Sequence, residues 1–262
     1  MPKVDSQLDA NRLKAQLVDR ISSIEGWTYL DEAWALHEAV RCYPGCEALR
    51  VVEIGSWKGR STIALAMGLR SRGSGRVYAI DPHTGSREHI EAYGSVDTFQ
   101  AFLNNIKTAG VADLVDPIRS TSHEARPRFA DDSVNVLFVD GSHEYRDVIT
   151  DIHDWTPTLL DGSVVAFNDP LMPGVYQALR EAVLIAHSPY RNARYISNTL
   201  FFRFRTQARW HFGDSVLLHW LRVLLALRYR AQAFVAYMPG WAVRSGRRLY
   251  ERLLSWHTAS LV

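Results

Sequence analysis

Two short segments of this 262-residue chain concentrate the side chains that could do chemistry. One reads Phe138-Val139-Asp140-Gly141-Ser142-His143-Glu144-Tyr145, the other Ala166-Phe167-Asn168-Asp169-Pro170. In each, an apolar run ends abruptly in oxygen donors. If the runs are neighbouring strands, Asp140, Asn168 and Asp169 converge at one sheet edge as three oxygen ligands. Hard cations such as Mg²⁺ select such ligands and keep water or substrate oxygens in the open positions. A cation there would lower the pKa of a bound hydroxyl and orient it. His143 lies three residues past Asp140 on the same loop, and an imidazole titrating near pH 6.5 suits proton transfer close to neutrality. The expectation is a metal site of Asp140, Asn168 and Asp169, with His143 as general base.

A second constellation is Glu53-Ile54-Gly55-Ser56-Trp57-Lys58-Gly59-Arg60-Ser61. Gly55 lets the backbone turn closely around a ligand, and Gly59 opens the next helix. The dinucleotide pattern G-x-G-x-x-G is absent, because Ser56 and Trp57 stand where its second Gly is needed, which disfavours a nicotinamide oxidoreductase. Asp81 ends the next apolar run and is placed to accept hydrogen bonds from both hydroxyls of a ribose. Ser120 and Ser122, after a third run, are adenine-side candidates. The competing reading makes Gly55 and Gly59 turn residues and Asp81 a helix cap. Lone histidines such as His123, His153 and His187 are more often structural. His83 is weighed the same way, yet with Tyr145 it stands as a candidate acceptor contact.

The elements that must position these residues follow from periodicity. Residues 6–23 and 29–42 read as helices, with Leu8, Leu13, Leu17 and Ile21, then Leu30, Trp34 and Ala35, at helical spacing. Short apolar runs then alternate with helical stretches. Strands are expected at 51–54, 77–80, 115–119, 134–139 and 164–167, with a terminal pair at 193–197 and 200–204. Helices are expected at 61–69, 96–109, 147–159 and 175–186. Strands buried on both faces and alternating with helices imply a mostly parallel, doubly wound α/β sheet, whose ligands sit at the strands' carboxyl ends. Glu53, Gly55, Asp81, Ser120, Asp140, Asn168 and Asp169 all fall at those ends.

With that order established, the loop Glu53 to Ser61 resembles the E/D-x-G-x-x-x-G loop of class I S-adenosylmethionine (SAM) methyltransferases. From Gly26-Trp27 to about Arg205 the chain resembles the family typified by macrolide sugar O-methyltransferases. The shared patterns are Glu53 to Thr62, Asp81-Pro82, Asp140-Gly141-Ser142-His143 with Tyr145, and Asn168-Asp169. This resemblance implies a Rossmann-like seven-stranded sheet, with SAM held by Glu53, Gly55, Ser56, Gly59, Ser61, Asp81, Ser120, Ser122 and Asp140. It also implies Mg²⁺ on Asp140, Asn168 and Asp169, with His143 as base. Asn168 departs from the Glu of the sugar enzymes, which removes a negative charge. Catechol-type methyltransferases look related in design but carry a Lys where His143 stands, so the histidine favours a sugar hydroxyl over a phenol. Size and tail also resemble mannoside 1-O-methyltransferases of methylmannose polysaccharide synthesis. The alternatives are a phenolic natural product as acceptor and a SAM-fold binding module without turnover.

Composition sets the outer bounds. Hydrophobic content of 47% and charged content of 22% are ordinary for a globular chain. Residues 203–252 hold ten Arg and no Lys against Asp214 and Glu251, a net of +8, while the remainder holds 20 basic and 26 acidic groups, a net of −6. An acidic body argues against nucleic acid as partner. Cys42 and Cys46 are too few for a disulfide framework or a zinc site, and the N-terminus lacks the apolar stretch of a signal peptide, so a cytoplasmic location is expected. Val216 to Val235 is interrupted by His219, Arg222, Arg228 and Arg230, too polar for a membrane span. Three segments are expected: 1–48 as N-terminal helices, 49–205 as the SAM-binding domain, and 206–262 as a basic helical extension. Its narrow polar stripe suits a homodimer contact or substrate lid, with a membrane-surface helix as the competing reading.

Overall fold

A computed structural model describes residues 3–45, 47–86, 90 and 94–206, together with 219, 220, 223, 226 and 227. Cys46 and most of the tail, including Arg222, Arg228, Arg230 and Val235, lie outside the described residues.

Two helices open the chain, α1 (Lys3–Ile21) and α2 (Leu30–Arg41). Then come β1 (Leu49–Ile54), α3 (Arg60–Arg72), β2 (Gly75–Ile80), α4 (Phe99–Thr108), β3 (Val115–Ile118), α5 (Ser122–Ala125), β4 (Val134–Val139) and α6 (Tyr145–Trp155). The series ends with β5 (Leu159–Asn168), α7 (Pro173–Ala182), β6 (Tyr190–Ile196) and β7 (Thr199–Phe204). The seven strands form one sheet in the order β3-β2-β1-β4-β5-β7-β6. β1 to β5 run parallel, and β7 is antiparallel to both β5 and β6. The order reverses between β1 and β4, so the edge expected to bind ligand lies above those two strands.

Alternation along the strands divides the interior between two faces. Val52, Ile54, Leu137, Val139, Val165 and Phe167 pack with α6 and α7, around Val148, Trp155 and Leu179. Val51, Val136, Phe138, Val164 and Ala166 pack on the other face with α1 to α4, around Leu17, Leu36, Leu65 and Phe102. The N-terminal helices therefore share a core with the sheet.

The expected elements are present, with shifted ends. α6 stops at Trp155 rather than Leu159, because Pro157 has no N–H to continue the helix and its ring clashes with the preceding turn. α4 starts at Phe99 rather than Val96; Asp97 Oδ1 accepts the Phe99 N–H at 3.0 Å and holds the chain in a turn first. β5 begins at Leu159, five residues before the expected Val164, because its first residues bend around Gly162 at φ +92°.

Candidate functional site

The loop between β1 and α3 is built on two glycines with left-handed backbone, Gly55 at φ +84° and Gly59 at φ +89°. A Cβ on Gly55 would sit 2.6 Å from the carbonyl carbon of Asp140 and 2.8 Å from the Gly141 Cα. Only glycine lets the tips of β1 and β4 approach this closely. The Gly55 N–H donates to the Ile80 carbonyl at 2.9 Å, and the Asp140 N–H to the Ile54 carbonyl at 2.8 Å, so the three central strand tips are tied together.

Asp81 holds this loop from β2. Its Oδ2 accepts the backbone N–H groups of Ser56 at 2.8 Å and Trp57 at 2.7 Å, and its Oδ1 accepts that of His83 at 2.6 Å. A carboxylate has about four lone-pair sites. Three are therefore committed to the backbone, leaving little room for a ribose to be held at both hydroxyls by this group alone. Ser56 and Ser61 are buried in the loop, and Ser56 Oγ has no hydrogen-bond partner. Glu53 is fully buried on the α3 side; its Oε2 accepts the Thr62 hydroxyl, and its Oε1 has no hydrogen-bond partner.

Asp140, Asn168 and Asp169 meet at the tips of β4 and β5, as expected. Asn168 Nδ2 donates to Asp140 Oδ1 at 3.0 Å, and Asn168 Oδ1 accepts the Asp169 N–H at 2.7 Å. His143 reaches the same cluster, its Nε2 lying 3.1 Å from Asp169 Oδ2. A small cleft beside them is lined by Asp140, His143, Phe167 and Asn168. The His143 loop is pressed against the first turn of α7, where a Cβ on Gly174 would stand 2.5 Å from the Tyr145 nitrogen. Among the described residues no three His, Cys, Asp or Glu side chains are grouped to hold a metal ion. The expected ligand set is thus a pair of carboxylates with a carboxamide whose N–H side faces Asp140.

The electrostatics are one-sided. Burial pushes Glu53 up to about 7, only partly offset by the Ser61 and Thr62 hydroxyls, and the Asp81 charge adds to the rise. Asp140 is pushed well above the carboxylate range by burial and by the charges of Asp169, Glu53 and Glu32. Glu32, which nothing in the motif pattern indicated, is 1% exposed and pushed to about 7 by burial, with the Asp169 charge adding to the rise. It reaches over from α2, its Oε2 accepting the Tyr29 N–H at 2.8 Å and its Oε1 the Asn198 N–H at 2.6 Å. The Glu32-to-Tyr29 contact is the glutamate half of a capping box, three residues apart in sequence; the link to Asn198 is not local.

A carboxyl whose folded pKa is raised binds its proton more tightly folded than unfolded, so its ionisation disfavours the fold as pH rises from about 4.5 to the folded value. For Glu53 that window runs from about 4.5 to about 7. Ligand-free Glu53→Gln is therefore expected to gain thermal stability relative to wild type as pH rises from 5 to 8. A constant difference between the two melting curves would remove this charge from the site.

One expected contact is corrected, and three others have protein partners of their own. His83 is 1% exposed, its Nδ1 is 2.9 Å from Thr98 Oγ1, and its ring packs on Phe99 and Phe102. It supports the loop and cannot touch an acceptor. Ser122 turns its hydroxyl to Asp151 on α6, and Ser120 donates to the Thr121 carbonyl at 3.2 Å. Tyr145 gives its hydroxyl to Glu181 Oε2 at 2.7 Å, bracing α6 against α7.

Doubly wound order, glycine loop and acidic strand tips together define a Rossmann-like fold of the class I methyltransferase type. Residues 52–170 match the family model of a methyltransferase domain. Over 151 residues, 55% of this chain, it is 31% identical to the uncharacterized protein y4gI of Sinorhizobium fredii, and the match spans 16% of that relative's length. The O-methyltransferase NovP shares the fold with a TM-score of 0.60 at 15% identity, over 77% of this chain and all of that one. TomG of Streptomyces achromogenes, solved with SAM, has a TM-score of 0.52 at 18% identity, over 75% of this chain and 89% of that one. The Bacillus cereus O-methyltransferase, solved with SAH (S-adenosylhomocysteine), has a TM-score of 0.51 at 17% identity, over 74% of this chain and 90% of that one. No helix among the described residues is long and apolar enough to cross a membrane.

Proposed function

We propose that this protein is a SAM-dependent O-methyltransferase whose acceptor is a sugar hydroxyl. The observation that carries this reading is the crowd of buried carboxylates at the switch point. The charges that act most strongly on Asp140 are acidic: Asp169, Glu53 and Glu32. Such a site favours a cationic ligand, and SAM brings both a sulfonium and an ammonium group. The glycine loop and the fold shared with TomG, solved with SAM, point the same way.

When bound, SAM supplies an electrophilic methyl group. His143 accepts the acceptor's hydroxyl proton as the carbon–oxygen bond forms and the sulfur–methyl bond breaks, leaving a methyl ether and neutral SAH. Asp169 accepts from His143 Nε2–H, which makes Nδ1 the basic nitrogen. Glu53 and Asp140 balance the donor's positive charge. Asp140 and Asp169 would hold a divalent cation through oxygen, with Asn168 beside them as the third candidate ligand; the ion would lower the pKa of the acceptor hydroxyl.

A sugar alcohol loses its proton far less readily than a phenol, and the His–Asp pair supports that class, with a mannoside methylated at 1-O as the specific case. A homodimer or lid formed by 206–262 belongs to the same proposal, supported by Trp220 and Leu227, two large apolar side chains that are exposed among the described residues of that segment.

Labelled SAM offered with a panel of glycosides and phenols, in Mg²⁺ or EDTA, tests this reading. Transfer to a glycoside is expected, lost in EDTA and in Asp140→Ala. Preferred transfer to phenols would replace the acceptor class, and full activity in EDTA would dismiss the metal. SAM binding without transfer to any acceptor would leave a binding module.

A further inference from the structure

The geometry points to Asn198, on the turn between β6 and β7, as the positioning residue of the His143–Asp169 pair, anchored from below by Glu32. This inference rests on the proposed role of His143 and extends it to residues far away in sequence. Ile196 pairs with Thr199, so Ser197 and Asn198 form a two-residue hairpin turn, with Ser197 at φ +52°. That turn delivers Asn198 to the tip of β5, where its Nδ2 donates to Asp169 Oδ1 while Oδ2 of the same carboxylate faces His143 Nε2.

Each polar group of Asn198 is committed. Its N–H donates to Glu32 Oε1 at 2.6 Å, its carbonyl accepts the Asp169 N–H at 3.0 Å, and its Oδ1 accepts the Tyr195 hydroxyl at 3.4 Å. An ionised carboxylate can only accept, so the Asp169 contact itself selects the amide orientation that turns Nδ2 towards it. Glu32 Oε1 also accepts the Thr199 hydroxyl at 3.2 Å, so the turn is held at two consecutive residues. Asp169 follows the last residue of β5 with left-handed backbone, φ +51°, a conformation that its N–H bonds to Asn198 and Asn168 hold. A carboxylate fixed at one oxygen presents the other at a fixed angle. The aim of the imidazole therefore depends on an amide nitrogen that never touches substrate.

The test needs no acceptor. In ¹⁵N-histidine-labelled protein, the His143 Nε2–H proton, assigned by its absence in His143→Gln, is expected to be downfield and protected from water. In Asn198→Ala its exchange should accelerate by about tenfold or more, as loss of one hydrogen bond to a charged group implies. The near-isosteric Asn198→Leu, which keeps the side-chain shape but offers Asp169 neither a donor nor a charge, should do the same while its melting transition stays cooperative. A protected proton that persists unchanged in both variants overturns the inference while leaving the pair intact. No protected Nε2–H in wild type would instead overturn the His143–Asp169 pair itself. Equal acceleration at every labelled histidine would show general loosening and also overturn the positioning role.

Discussion

Replacing His143 with Ala is expected to lower kcat for methyl transfer by about 10²–10⁴-fold, the range for a positioned general base, while leaving SAH affinity intact. The separation follows from where the residues stand. His143 belongs to the loop after β4 and is held by Asp169, whereas the glycine loop of β1 is tied to Asp81 and Glu53. A neutral alcohol is a poor nucleophile, so losing the base should appear in the chemical step and not in donor binding. Stopped-time assays with labelled SAM and calorimetry with SAH measure the two quantities separately. A near-wild-type rate for His143→Ala would remove it from the reaction, and a parallel loss of SAH binding would make it a binding residue.

Gly55→Ala is expected to destabilise the fold by about 2–5 kcal/mol, adding the cost of left-handed backbone in an L-residue to that of overpacking, and to abolish SAH binding. The new Cβ would meet the backbone of Asp140 and Gly141, which no rotamer change can relieve. Relief requires β1 and β4 to part at their tips, breaking the Asp140 N–H bond to Ile54 and displacing the Asp140 carboxylate. Gly59→Ala is the control. It shares the left-handed φ, but its nearest neighbour is the Phe102 ring edge at 3.2 Å, which can shift by a few tenths of an ångström. Denaturant unfolding and SAH calorimetry should rank wild type above Gly59→Ala, and Gly59→Ala above Gly55→Ala. A Gly55→Ala protein as stable as Gly59→Ala would contradict the close approach.

The alternation of apolar runs with helical stretches was enough to read the doubly wound sheet and the edge where its chemistry lies. Period and strand-end polarity are local properties, and parallel strands buried on both faces show them directly. The same locality explains the shifted ends: Pro157 and Asp97 act through backbone geometry that periodicity alone does not weigh. Asp140, Asn168, Asp169 and His143 were legible for the same reason, since each stands within a few residues of a strand tip.

How those side chains bond was decided by the tertiary structure. His83, Ser122 and Tyr145 follow strand ends at the right edge, yet their polar atoms bond Thr98, Asp151 and Glu181, which come from other elements. Asp81, expected to hold a ribose, also gathers three backbone N–H groups. Glu32 and Asn198 lie 166 residues apart in sequence and carry no shared motif; only the antiparallel insertion of β7 between β5 and β6 brings them together. Residue type and spacing determine what a strand tip can offer. Which partner satisfies it depends on the chain that folds back over the tip, because a buried polar group takes whichever donor or acceptor the packing places within about 3 Å.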